Sequence, residues 1–291
     1  MLHGTLHIGD LTIIGLCDGV VLSSGPAEDS FPGCSDAVWA EARERYPAVA
    51  GEGGRWRLHV HCFVLRSAGR TMLVDTGIGP ESAPAFAWTG TRGALLEGLA
   101  EAELSPADVD DVVITHVHDD HLGWNVAAGT TTPLFPNARY VVHRADWALM
   151  ANATDEEDRA IFSAVLEPLE HAGVLTLSDD TLSLAEGLTV VHAPGHTPGH
   201  QVVVYASGRA HALISGDLVN HPVQLLQPGV AGTSDSDPEL AAATRAEWLE
   251  RFDRTPHAVC PAHFPEVFGS FISETGRREW TPAYRPTAAR G

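Results

Sequence analysis

Residues 112–124 read Val-Val-Ile-Thr-His-Val-His-Asp-Asp-His-Leu-Gly-Trp, and this stretch decides the fold. The run from Asp111 to Thr115 is apolar, β-branched and of strand length, the composition of a buried strand. His116, His118, Asp120 and His121 follow at once. Imidazoles and a carboxylate packed this closely at a strand end suit zinc, iron, manganese or cobalt. On a strand, His116 and His118 share one face. A turn into helix then swings Asp120 and His121 to a second side of the same pocket, giving two adjacent metal sites. A lone histidine after a strand is ordinarily structural, but this cluster, with Gly123 as a turn residue, is hard to assign to packing.

Working outward, the same pattern of a strand followed by a ligand recurs. Residues 58–66 and 71–77 form a predicted hairpin that ends in Asp75, placed to hold a ligand imidazole from behind. His59 and His61, on one face of the first of these strands, read as core or supporting residues. Residues 188–192 are a strand before Ala-Pro-Gly-His-Thr-Pro-Gly-His, where paired Gly and Pro pin a loop that presents His196. His200 reads as buried scaffold. Residues 211–216 are a strand ending in Asp217, with His221 just beyond, and residues 257–263 are a strand delivering His263. Strand ends gathered at one edge of a sandwich explain Asp75, His116, His196, Asp217 and His263 together. The expected fold class is α/β, a duplicated α/β/β/α arrangement.

The intervening sequence is less decisive. Residues 5–22 read as one or two strands with Asp18-Gly19 as turn chemistry. Residues 23–36 read as loop, with Asp36 capping a short helix to Arg45. The whole segment 23–54 is a long excursion within a single domain spanning 1–291, and it either covers a pocket or decorates the surface. Residues 80–91 are a loop with Phe86 and Trp88 as possible pocket walls. Helices are expected at 92–102, 144–150, 155–171 with an internal Pro168, and from Asp237 to Phe252. Residues 222–233 read as loop. The tail beyond 270, with Trp280 and Tyr284, reads as loosely packed or as a subunit contact.

Composition bounds the function. The chain has 291 residues, 44% hydrophobic, enough for a substantial core. No apolar run is long enough to span a membrane, and the N-terminus lacks a secretory pattern, so the expected location is cytoplasmic. Every one of the 18 basic residues is Arg, against 38 acidic residues, a net charge of −20. Such a surface repels phosphate backbones, which argues against nucleic acid, and it favours bound cations. The four Cys (17, 34, 62 and 260) form no Cys-x-x-Cys pair and read as small buried residues.

With these residues laid out, the chain resembles the metallo-β-lactamase-fold hydrolase superfamily. The resemblance rests on His116-x-His118-x-Asp120-His121, His196 in its Pro-Gly loop, Asp217 after Ser-Gly, His263, and Asp75 in Val-Asp-Thr-Gly, and it covers residues 58–263. It implies a four-layer αβ/βα sandwich and two divalent metal ions, zinc foremost, with Mn, Co or Fe as alternatives. His116, His118 and His196 would hold the first ion, Asp120, His121 and His263 the second, and Asp217 would bridge them. A metal-bridging hydroxide would attack a small-molecule substrate, with Asp120 moving the proton to the leaving group. Within the superfamily, Asp217 opposes a true β-lactamase, His118 opposes a flavodiiron oxidoreductase, and the absence of Lys opposes a glutathione thioesterase. The acidic charge opposes an RNA nuclease. His-Asp-Asp-His-Leu-Gly-Trp-Asn and Gly-Asp-Leu-Val-Asn-His-Pro-Val-Gln are similar to the lactonase, esterase and organophosphate-hydrolase branch. Its acyl-homoserine-lactone lactonases usually carry a Tyr near the bridging Asp, where this chain has His221, a candidate substrate contact. A small neutral ester or lactone is therefore the expected substrate, with β-lactamase or thioesterase turnover at most a side activity. A mononuclear iron sulfur or persulfide dioxygenase and a non-catalytic metal-binding domain are the alternatives. A homodimer is common among the proteins it resembles.

Overall fold

The first half of the chain builds one seven-stranded sheet in sequence order, and the second half builds another. The computed structural model describes residues 2–254, 258–272 and 278–283. The first sheet comprises β1 (Leu2–Ile8), β2 (Leu11–Pro26), β3 (Arg55–Ser67), β4 (Arg70–Val74), β5 (Asp111–Val113), β6 (Arg139–His143) and β7 (Leu175–Ser178). The second comprises β8 (Thr181–Ala185), β9 (Leu188–His192), β10 (Gln201–Ser207), β11 (Ala210–Gly216), β12 (Ala258–Pro261), β13 (Gly269–Ile272) and β14 (Arg278–Pro282). Strands β1 to β4 pair antiparallel and β4 to β7 parallel. In the second sheet only the β11–β12 pair is parallel.

Period-two alternation sorts the strand residues into layers. Phe63, Leu65, Val113 and Val141 face Val190, Val203 and Ile214 in a core between the sheets. Val64, Val112, Ile114 and Val142 point outward onto Leu95, Leu99, Trp147 and Leu169 of the covering helices. Val202, Leu213 and Val259 pack on Trp248 and Leu249 of the long helix Pro238–Arg254. The result is helix, sheet, sheet, helix, the expected four-layer αβ/βα sandwich. Because β4 and β5 run parallel, as do β11 and β12, with β9 in the same sense, their C-terminal ends collect along one edge.

Several local expectations are corrected. Asp18-Gly19 is no turn: the hairpin closes at Gly9-Asp10, and β2 runs on through a bulge between Cys17 and Gly19 to Pro26, so residues 23–26 are strand and not loop. Residues 222–233 include a short helix, Val223–Leu226. Strand β8 was not legible. The segment 155–171 is helical but broken by a π turn at Phe162–Leu166, just before Pro168, which lacks the amide needed to continue an α pattern. Residues 269–272 and 278–282 are not a loose tail but strands, and Trp280 is buried against Phe264 and Phe271. Tyr284 and His257 lie outside the described residues.

The bulge in β2 has a purpose. It turns Asp18 inward, where one carboxylate oxygen accepts from the amides of Ile78 (2.6 Å) and Gly79 (3.4 Å) and the other from the Leu95 amide (2.6 Å) and Trp124 Nε1 (3.1 Å). Burial pushes this carboxyl up to about 6, against the four donors that favour its ionised form. Three segments beneath the cluster edge are tied to one side chain. An Asp18→Asn variant must turn its NH2 toward one pair of these donors. It is expected to lose on the order of 3 kcal/mol, at about 1–3 kcal/mol per unsatisfied buried group. A lower urea midpoint with unchanged slope would show it.

Candidate metal centre

Each candidate ligand leaves a strand end or the loop behind it. After β5 the chain bends at Thr115 and runs without regular structure to His118, then winds into the helix Asp119–Leu122, which carries Asp120 and His121. Gly123 closes that helix against the 77–79 turn, where a Cβ would run into the Ile78 backbone. The turn after β4 puts Asp75 at φ 60°, a left-handed conformation that Asp tolerates better than most residues. The 194–199 loop carrying His196 is anchored by Asp146, which accepts from Thr197 Oγ1 (2.8 Å) and the Gly199 amide (2.5 Å) and also from the Val117 amide (3.2 Å). Asp217 follows β11, and His263 follows β12.

The structure brings all seven predicted ligands together. His116, His118, His196 and Asp217 form one group and Asp120, His121 and His263 another, with the ligand atoms of each within 4.8 Å of one another. His118 Nδ1 is 3.0 Å from both His116 Nε2 and His196 Nε2. One oxygen of Asp217 lies 3.2 Å from His196 Nε2, and the other lies 3.1 Å from His263 Nε2 and 3.4 Å from His121 Nε2, so the carboxylate spans both groups. Asp120 places one oxygen 3.8 Å from His121 Nε2 and the other 3.8 Å from His263 Nε2.

The outer contacts fix the tautomers. A carboxylate can only accept, so His121 Nδ1 donates to Asp75 (2.8 Å) and His196 Nδ1 donates to Asp235 (2.7 Å). Thr115 Oγ1 gives its proton to Asp75 (2.8 Å) and accepts from His116 Nδ1 (3.1 Å). His263 Nδ1 donates to the His59 carbonyl (2.7 Å). Each of these four rings therefore aims an Nε2 lone pair inward. Those lone pairs face carboxylate oxygens and each other, and Asp217 Oδ1 is buried without a hydrogen bond. Acceptors converging on acceptors are stable only around positive charge. The same field acts on the ionisation of these groups. Burial alone would lower His121, but Asp217, Asp120 and Asp75 override it and hold the ring up to about 10. His196 is likewise carried against burial up to about 9 by Asp217 and Asp235. Burial works to raise Asp217, yet the surrounding imidazoles, His263 first, hold it well below the usual carboxylate range. The donor set fits two divalent cations.

Other expectations divide. Asp75 lies against the Thr115 and His121 side chains. His200 is indeed buried scaffold: its Nδ1 meets the Ala193 carbonyl (2.9 Å), and its Nε2 accepts from the Asp217 amide (3.0 Å), orienting that residue's backbone. His221 is not on the cavity wall. Its ring is enclosed by Phe31, Trp39 and Trp56 at 5.3 to 5.6 Å between centroids, and its Nδ1 accepts from the Val223 amide. The substrate-contact reading gives way because aromatic residues distant in sequence fill the space around it. Three supporting residues went unseen. Asp235 holds His196. The fully buried Arg245 lies 3.6 Å from Asp235 and donates to the carbonyls of Leu218, Pro228 and Val230. Asp18 is the third. Arg245 had a signal, since it stands in the buried stripe with Ala241, Trp248 and Leu249.

Above the cluster lies a cavity of about 560 Å3. Its floor is His118, Asp120, Asp217 and His263, and its apolar wall is Val21, Leu22, Phe31, Trp56 and Leu58. The 23–54 excursion thus borders the pocket. Trp88 lines it, as expected, and donates from Nε1 to Asp119 (2.8 Å), whereas Phe86 does not line it.

Paired sheets with a His and Asp cluster at their strand ends define a metal-binding α/β/β/α protein. The chain belongs to the metallo-beta-lactamase superfamily, whose model matches residues 55–263. It is 32% identical over 233 residues to the metallo-beta-lactamase domain-containing protein 1 of Mus musculus, covering 75% of this chain and 72% of that protein. An N-acyl homoserine lactonase of a Bacillus species is 28% identical over 158 residues, covering 50% of this chain and 57% of the lactonase, so the chain spans little more than half the length of that relative. Among solved structures, a dizinc quorum-quenching lactonase bound to its product N-hexanoyl-L-homoserine superposes with a TM-score of 0.81 at 23% identity, covering 98% of each chain. A hydrolase of the β-lactamase superfamily superposes at 0.83 with 22% identity, covering 97% of this chain and 98% of the other. Among the described residues, no helix is long and apolar enough to cross a membrane.

Proposed function

We propose that this protein is a dinuclear metal-dependent hydrolase of small neutral esters or lactones. The observation that carries the reading is the convergence of two contiguous ligand sets, shared through Asp217, on the floor of an apolar-walled cavity. When bound, two divalent cations supply a water acidified to near-neutral pKa and a Lewis acid for the substrate carbonyl. The chain's own residues do the rest. His116, His118 and His196 hold one position, and Asp120, His121 and His263 the other. Asp75, Asp235 and the His59 carbonyl lock the ligand rings. Asp120 faces the cavity, where an oxygen can carry a proton to the departing alkoxide. Val21, Leu22, Phe31, Trp56 and Leu58 exclude water and take an apolar substituent. Among the described residues of the lining the one guanidinium, Arg55, donates to the carbonyls of Leu22 and Ser23, so away from the metal positions the pocket offers no arginine committed to an anionic substituent. A neutral substrate follows. The lactonase names of relatives support the lactone within this class.

Complete second-site ligands favour two ions over the single iron of a thiol or persulfide dioxygenase. Elemental analysis of protein purified without added metal, run beside a lactone and aryl-ester panel, tests the reading. Two equivalents of zinc, manganese or cobalt are expected, with turnover lost to a chelator and restored by the metal. One equivalent of iron, oxygen uptake with thiols and no hydrolysis would overturn it.

A further inference from the structure

A second group of ligand-type side chains lies outside this centre. Cys17, His59 and His61 bring a sulfur and two ring nitrogens within 4.8 Å of one another. The sheet explains the meeting: Cys17 and His61 are register partners on β2 and β3, and His59 lies two residues along on the same face. His61 is 1% exposed; its Nδ1 lies 3.1 Å from the Pro261 carbonyl, while its Nε2 is buried with no hydrogen-bond partner. His59 Nδ1 is likewise buried and unpartnered. Orphaned imidazole nitrogens are uncommon in a core, because each costs its desolvation without return. Here two of them share a face with a thiol whose Sγ is 3.2 Å from the Gly19 carbonyl. Packing explains neither nitrogen, and a cation explains both.

We propose that Cys17, His59 and His61 form a third metal site, for a thiophilic divalent cation of the zinc class. One sulfur and two imidazole nitrogens are a zinc donor set. On binding, the Cys17 S–H bond breaks, its proton passes to solvent and a sulfur–metal bond forms, with no change of oxidation state. His3 lies beside the group, its ring centroid 6.1 Å from that of His61. The site has a structural consequence. The His59 carbonyl accepts from His263 Nδ1, so a cation that fixes His59 also fixes the support of a ligand in the hydrolytic centre.

Cobalt separates the two places, because the hydrolytic centre contains no sulfur. Full-length protein titrated with Co2+ is expected to take up a third equivalent and to develop a near-ultraviolet thiolate-to-cobalt charge-transfer band. Cys17→Ser should abolish the band and the third equivalent while keeping the other two. Cys34→Ser, Cys62→Ser and Cys260→Ser should each retain the band, which assigns it to Cys17 even if the Cys17 variant does not fold. No charge-transfer band at saturating cobalt, or a band that moves with another cysteine, would overturn the site. Neither result depends on hydrolysis of any substrate.

Discussion

Replacing Asp217 by Ala is expected to lower kcat/KM on the best ester or lactone by on the order of 10^3-fold or more, the loss of several kcal/mol of metal-derived stabilisation. The cause is geometric. Asp217 is the carboxylate that reaches both ligand groups among the described residues, with oxygens 3.2 Å from His196 and 3.1 Å from His263. Without it the two half-sites lose their common anion, and the imidazoles around it lose the charge that offsets their burial. The variant should therefore bind less than two equivalents of metal at concentrations that saturate the wild type. Elemental analysis after gel filtration, paired with kinetics across added metal, measures both quantities. A variant that keeps two tightly held ions and near-normal turnover would remove Asp217 from the bridging position. Folding is separable: Asp217 is not among the residues tying the loops to Asp18, so near-ultraviolet circular dichroism should retain the wild-type form.

Asp120→Asn is expected to lower kcat by about 10^2- to 10^4-fold, the range for a lost general acid or base. Its effect should differ in kind. An amide keeps one oxygen as a ligand, so metal content should fall less than in Asp217→Ala. It cannot receive and return a proton, so the deficit should concentrate in kcat and grow with the basicity of the leaving group. Aryl esters with good leaving groups need little protonation, and the variant should hydrolyse them far better, relative to wild type, than alkyl lactones. Equal losses across a leaving-group series would reduce Asp120 to a ligand only.

What was legible in the sequence follows from distance along the chain. His116, His118, Asp120 and His121 declared themselves because their spacing is local and follows a buried strand. His196 and Asp217 did so because Gly-Pro punctuation or a strand end precedes each. Asp235 and Asp18 were silent: Asp235 meets its histidine 39 residues away and Asp18 its donors 60 to 106 residues away, and a lone Asp in a polar stretch or before a Gly reads as turn chemistry. His221 misled for the same reason, since Phe31, Trp39 and Trp56 come from a segment that reads as loop and short helix. The terminal strands escaped notice because one buried Trp280 among polar residues gives no alternation to read.

The long β2 strand and the segment behind it have an implication for how such a protein diversifies. Most of the cavity wall comes from residues 21–58, whereas all seven proposed ligands come after position 115. The part that selects and the part that reacts thus come from separate stretches of chain, joined by the pairing of β2, β3 and β4, by a shared apolar core and by the hydrogen bond from His263 Nδ1 to the His59 carbonyl. A graft of this N-terminal stretch from a homologue, made with its own version of Asp18, would re-cut the choice of substrate while leaving the chemistry intact.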